Sequence, residues 1–156
     1  MGVAGIVQKV SSTRGFAKAA PYVVPALDRA VHRLTRGRVL LSALLLPGVI
    51  LTSTGARSGL PRRTPLACMP EEGGRSWLLV GSNFGRTGHP AWTHNLLARP
   101  DAEINWKGRD IPVTALPLAG EERAAAWRAV LVFWPPYATY QARVTREIRV
   151  FRLLRK

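Results

Sequence analysis

Acid is scarce in this chain. Nine Asp and Glu face 23 Lys and Arg in 156 residues, a formal net charge of +14. That imbalance implies attraction to something anionic: nucleic acid, an anionic membrane surface or a multiply charged small ligand. The carboxylates are too few and too turn-bound for a convincing catalytic pair. Cysteine is nearly absent. Cys68 stands alone, which excludes an intrachain disulfide and a cysteine-based metal site. The three histidines, His32, His89 and His94, are scattered, with no H-E-x-x-H spacing, so no metal is expected. Long hydrophobic runs are missing too. The longest, Val39 to Leu51, is broken by Ser42, Pro47 and Gly48 and is too short to span a bilayer. Residues 1–27 carry Lys9, Arg14 and Lys18, no acid and no apolar core of a secretory signal. A reduced, cytoplasmic setting is the expectation. Hydrolytic and dinucleotide signatures are lacking: no G-x-S-x-G elbow, no G-x-G-x-x-G and no Walker loop. An enzyme built this way leaves the hard chemistry to a bound organic cofactor.

What is present is globular: 47% hydrophobic and 21% charged residues, enough for one domain with a real core. Residues 1–22 read as a basic flexible tail. Residues 23–37 read as an amphipathic helix, with Val23, Leu27, Val31 and Leu34 on one face, Arg29, Arg33 and Arg36 on another, and Gly37 to end it. Such a helix either docks on the domain or lies on an anionic membrane, and docking is the favoured reading. Residues 38–156 read as the main domain. Strands are expected at Val49–Thr54, Arg62–Met69, Arg75–Ser82, Asp101–Trp106, Arg109–Leu116 and Arg149–Leu154. Helices are expected at His89–Arg99 and Gly120–Phe133. Short turns between adjacent strands argue for antiparallel pairing. The fold class is mainly β with flanking helices (α+β), a small, partly open barrel.

Three segments hold the candidate site residues. The first is LTSTGARSGLPRR, Leu51 to Arg63. Thr54, Arg57, Ser58, Gly59 and Arg62 there offer backbone N–H groups, hydroxyls and guanidinium forks, the ingredients of a phosphate or carboxylate cradle. The second is SNFGRTGHPAWTHN, Ser82 to Asn95, with Ser82, Asn83, Trp92 and Asn95 as candidates. If the first and third strands are neighbours, both loops open at related barrel ends, and a helix N-terminus beside arginines suits an anion. The third is WPPYATY, where Trp134, Tyr137 and Tyr140 recur every three residues and can wall a pocket. They serve equally well as core covering the barrel's open end.

The blocks TSTGARSGLPRRTPL, SNFGRTGHPAWTHNLLARPDAEI and YATYQARVTREIRVF resemble the deazaflavin-dependent nitroreductase family, actinobacterial oxidoreductases that use coenzyme F420. The resemblance runs from about residue 28 to residue 152. It implies a split β-barrel of the FMN-binding, flavin-reductase-like type. It implies that Arg57, Ser58 and Arg62 take the cofactor's phosphate and acidic tail, that Ser82 and Asn83 lie beside the deazaflavin ring, and that Trp92 and Asn95 belong to the cofactor-binding helix. Tyr137 and Tyr140, in the catalytic role, with Trp134 beside them, fall on the substrate side. The chain departs from the family pattern at four positions. Ala56 stands where a basic residue is common, Trp134 where some members have tyrosine, His89 where others have asparagine, and Arg149 where proline is common. The implied activity is hydride transfer from reduced deazaflavin to a small-molecule acceptor such as a quinone, an enone or a nitroaromatic. FMN is the alternative cofactor. The remaining alternative is a basic module for an anionic membrane, with nucleic acid the weaker partner. A membrane quinone as acceptor would place a cytoplasmic enzyme peripherally on the inner face of the plasma membrane, as monomer or homodimer.

Overall fold

The computed structural model describes residues 46–156 and, before them, the five positions 26, 29, 30, 33 and 34. Those five, Ala26, Arg29, Ala30, Arg33 and Leu34, are helical and exposed. The basic tail expected over 1–22 and the remainder of the helix expected over 23–37 lie outside the described residues.

Seven strands form one antiparallel sheet: β1 (Gly48–Thr54), β2 (Pro61–Ala67), β3 (Met69–Glu71), β4 (Ser76–Val80), β5 (Asp101–Trp106), β6 (Arg109–Pro117) and β7 (Val150–Arg155). Within residues 46–156, three α-helices accompany them: α1 (Ala91–Ala98), α2 (Gly120–Phe133) and α3 (Pro136–Ala142). The strand order is β2-β1-β5-β6-β7-β4-β3, and β2 at one edge curls back to meet β4 near the other. The result is the half-closed split barrel that the sequence led us to expect.

Side-chain alternation divides the core in two. Val49, Leu51, Trp77, Leu79, Ile104, Ile111, Val113, Phe151 and Leu153 fill the barrel interior. The intervening residues Leu78 and Val150 face the other way and pack with Leu118, Ala126, Val130, Trp134, Tyr137, Tyr140 and Ile148 beneath α2 and α3. β4 and the start of β7 are therefore buried on both faces, which is why SWLLV reads as an unbroken apolar run. Each fully buried Leu or Ile contributes about 1.5–3 kcal/mol.

Three expectations change. The strand expected over Arg62–Met69 is two strands. Cys68 breaks it, its N–H donating to the Pro47 carbonyl at 2.9 Å, and the chain passes from the β1 side of the sheet to the β4 side. The Trp134–Tyr140 segment is not merely a Pro-rich stretch. Trp134 leaves the helical region (φ −141°, ψ 87°), which ends α2, and Pro135 and Pro136 start α3 at once. Proline breaks a helix in its interior yet suits the first turn of the next one. Thirdly, β1 and β4 are not neighbours. Four antiparallel pairings, β1–β5, β5–β6, β6–β7 and β7–β4, separate them. An even number of reversals leaves the two strands running the same way. The loops after β1 and β4 therefore leave the same end of the barrel although the strands never touch. The Lys107-Gly108 hairpin turn forms as expected, with φ of 50° and 80°.

Candidate functional site

The loop after β1 closes on itself. The Gly55 N–H donates to the Leu60 carbonyl at 2.8 Å, and the Gly59 N–H donates to the Gly55 carbonyl at 2.9 Å. The Ser58 hydroxyl oxygen accepts the Leu60 N–H at 3.2 Å, which leaves its O–H free to donate outward. A Cβ at Gly55 would displace the Ser58 Oγ, and Gly59 holds φ of +69°, a conformation that favours glycine. Thr54 is half-buried at the strand end, while Arg57, Ser58, Gly59 and Arg62 are exposed.

α1 anchors this loop from inside. The Asn95 side-chain oxygen accepts the Ala56 N–H at 2.9 Å, and its amide donates to the Ser53 hydroxyl at 3.2 Å. Strand register then sorts the arginines. Arg62 pairs with Ser53 and so shares the barrel-interior side with Asn95, whereas Arg63 pairs with Thr52 in the row of Glu103 on the outer side. One turn after Asn95, at the C-terminal end of α1, Arg99 lays its guanidinium over the loop, 3.8 Å from where a Gly59 Cβ would stand. Arg57, Arg62 and Arg99 form no ion pair with any described residue. The ion pairs there are Arg123–Glu147, Arg152–Glu71, Arg152–Glu122 and Lys156–Asp101. Arg99 went unnoticed in the sequence because it stands 39 to 44 positions from the loop it covers; helix-end arginines more often face water.

The loop after β4 has a different construction. Asn83, Phe84 and Gly85 have consecutive positive φ values of 48°, 54° and 77°. Asn tolerates this region and Gly is at ease in it, but Phe84 costs about 1–2 kcal/mol there. The Asn83 side-chain amide donates to the Gly88 carbonyl at 2.9 Å. Ser82 is buried. Gly85 presses on α3: an added Cβ would stand 3.1 Å from the Tyr140 Cα. Phe84 meets the Tyr140 ring edge-on at 6.0 Å between centroids. The same α1 also reaches this loop. Thr93, fully buried, touches Gly81 so closely that a Cβ there would stand 2.8 Å from its Cγ2.

Arg146 is the second residue that sequence reading overlooked, hidden in the charge-rich RVTREIR run. Its guanidinium donates to the carbonyls of Gly81, Ser82, Arg86 and Thr87 at 3.0–3.3 Å, and its Nη1 lies 3.1 Å from the His89 Nδ1. Arg149 sits beside it and donates to the Thr93 hydroxyl at 3.1 Å. Burial together with Arg149, Arg146 and His94 lowers the pKa of His89.

The remaining candidates lie deeper. Trp92 is 5% exposed and packs on Phe151 inside the barrel, with 5.7 Å between ring centroids. Trp134, Tyr137 and Tyr140 belong to the cluster beneath α2 and α3, and Tyr140 is 1% exposed. Burial raises the pKa of Tyr137, which keeps it a neutral phenol. A shallow 290 Å³ depression lined by Arg109, Asp110, Ile111, Pro112, Arg155 and Lys156 opens at the opposite barrel end and is no part of this arrangement.

Residues 27–155 match the family described as F420H(2)-dependent quinone reductase. The chain belongs to that family. A Mycobacterium tuberculosis (strain H37Rv) protein named F420H(2)-dependent quinone reductase is 35% identical over 137 residues, 83% of this chain and 89% of the relative. A solved F420-H2 dependent reductase, FDR-A, is 39% identical with a TM-score of 0.61, covering 69% of this chain and 93% of that one. A structure described as a domain-swapped dimer is 34% identical with a TM-score of 0.64, covering 80% and 94%. This chain is thus an F420H2-dependent reductase with coenzyme F420 as its cofactor, and the resemblance read from the sequence is borne out to that level. The residues present fit such a group. F420 carries a phosphate and a glutamate tail, and three guanidiniums without carboxylate partners among the described residues surround one glycine-built loop.

Proposed function

We propose that this reductase delivers a hydride from reduced F420 to a quinone, with enones and nitroaromatics as further acceptors. The observation that carries the reading is the Arg57, Arg62 and Arg99 cluster around Gly55–Leu60, at the barrel end shared with the Ser82–Gly85 turn. When bound, F420H2 supplies the hydride. The chain's own residues bind and orient. Arg57, Arg62, Arg99 and the Ser58 hydroxyl hold the phosphate and tail, each charged contact contributing about 1.5–3 kcal/mol when desolvated and less at this exposed surface. The Thr54 and Gly59 backbone completes the cradle. Ser82 and Asn83 border the ring, and Trp92 and Asn95 set the position of α1 behind it. Trp134, Tyr137 and Tyr140 form the acceptor-side wall. Tyr137, held neutral, orients an acceptor oxygen as a hydrogen-bond donor rather than acting as a strong acid. A single phosphate, as in FMN, would leave part of this cation set unused, which favours F420.

Among the described residues no helix is long and apolar enough to cross a membrane. Exposed Arg29, Arg33 and Leu34 on one helix support peripheral contact with anionic lipid, where a lipid-soluble quinone would be met. Sedimentation with anionic vesicles, lost on removal of residues 1–36, checks this. The relative described as a domain-swapped dimer supports a homodimer.

Titration of the purified protein with F420 tests the main reading. Micromolar or tighter binding, with F420H2 oxidation on adding a quinone, is expected. Undetectable F420 binding would overturn it.

A further inference from the structure

Arg146 is a half-buried guanidinium that forms no ion pair with a carboxylate among the described residues. Four backbone carbonyls, those of Gly81, Ser82, Arg86 and Thr87, and the His89 imidazole receive its N–H groups. Those carbonyls belong to one short loop, on both sides of three consecutive residues with positive φ. Within the loop, the Gly85 N–H donates to the Ser82 carbonyl at 2.9 Å, the Arg86 N–H to the Asn83 carbonyl at 3.1 Å, and the Asn83 amide to the Gly88 carbonyl. A turn that stores strain at Asn83 and Phe84 persists only where its surroundings over-determine it. Arg146 supplies that constraint from outside the loop, four residues after α3.

We propose that Arg146 is a positioning residue of the reductase: its planar fork holds the Gly81–Thr87 backbone in the conformation that presents Ser82 and Asn83 to the ring end of the cofactor. The inference rests on the placement of F420 given above. Planarity is what the geometry uses. Five donors in a rigid fork satisfy acceptors spread over seven residues, and an ammonium has three donors converging on one nitrogen. His89 takes part through its Nδ1, 3.1 Å from the Arg146 Nη1. The charged and titratable groups around that ring are Arg146, Arg149 and His94, all of which disfavour its protonation. Arg146 stands apart from the Arg57, Arg62 and Arg99 cradle, so its effect on the cofactor is separable from that of the tail contacts.

The test is Arg146→Lys in the full chain, which preserves the charge and removes the fork. F420 affinity is measured by fluorescence over a range of salt concentrations, with the melting temperature as a control on folding. The expected result is a dissociation constant raised about tenfold at every salt concentration, with the salt dependence of the wild type retained because the tail contacts are intact. A dissociation constant equal to the wild-type value would overturn the proposal. So would a flattened salt dependence, which would mean a general loosening that reaches the cradle. If the lysine variant does not fold, His89→Ala takes its place, removing one partner of the fork. A rise of at least twofold with unchanged salt dependence supports the proposal, and no rise overturns it. Failure of the wild type to bind F420 would instead sink the functional reading on which the inference stands.

Discussion

The side chain of Asn95 on α1 accepts the backbone N–H of Ala56 at 2.9 Å, across 39 residues of sequence. One amide thereby joins the helix that carries the second block of site residues to the loop that carries the first. Its other end, on Ser53, reaches the strand beneath that loop. Because Asn95 is 8% exposed, water does not readily replace either bond.

Asn95→Ala should therefore cost about 1–3 kcal/mol of stability, since it strands a polar group at both Ala56 and Ser53. Urea unfolding of both proteins measures this. Affinity for F420 should fall with it, because the cradle loses its inner support. A variant as stable as the wild type would contradict the account.

Arg62 and Arg63 are adjacent in sequence and opposite in space. Arg62→Ala should weaken F420 binding about tenfold, and the loss should shrink at high salt. Arg63→Ala should change it less than twofold. Parallel titrations of the two variants decide the matter, and equal losses would show that strand alternation does not select the cofactor-facing cation.

The depressed pKa of His89 fixes the sign of a pH effect. Its folded pKa lies below the unfolded value near 6.5, so the unfolded chain binds the proton first. The stabilisation is fully present above that value and is lost as pH falls through the lower, folded pKa. Melting temperatures between about pH 7.5 and pH 5 should decline more steeply for the wild type than for His89→Gln. Identical profiles would remove His89 from the account.

Tyr137→Phe keeps the ring and deletes the phenol. With the acceptor oriented by that O–H, kcat/KM for a quinone should fall up to about thirtyfold, the equivalent of one hydrogen bond to a group gaining charge. The F420 dissociation constant should stay within twofold. Steady-state kinetics and a binding titration separate the two, and an unchanged kcat/KM would assign Tyr137 to packing alone.

Much of the barrel was legible in the residues. The Lys107-Gly108 hairpin and α2 follow from local chemistry, turn glycines in one case and an acidic first turn with an apolar stripe in the other. The errors arose where one local signal has two tertiary outcomes. Pro135-Pro136 stops one helix and starts another, and only the space above Leu78 and Ile148 decides that α3 forms there. Cys68 looks like mid-strand until the chain must change sheet edges.

The site divides along the same line. Composition and motif by themselves determined a basic chain with few metal-ligating residues, its family and the anion-seeking Gly55–Leu60 loop, because charge and turn chemistry are properties of neighbouring residues. Only the tertiary structure decided which arginines serve that loop. Strand parity turns Arg62 inward and Arg63 outward, the end of α1 brings Arg99 over Gly59, and the connection between α3 and β7 carries Arg146 to a turn some 60 residues earlier. Arginines look alike in a list; which cation meets which backbone is set by long-range pairing, which no local pattern encodes.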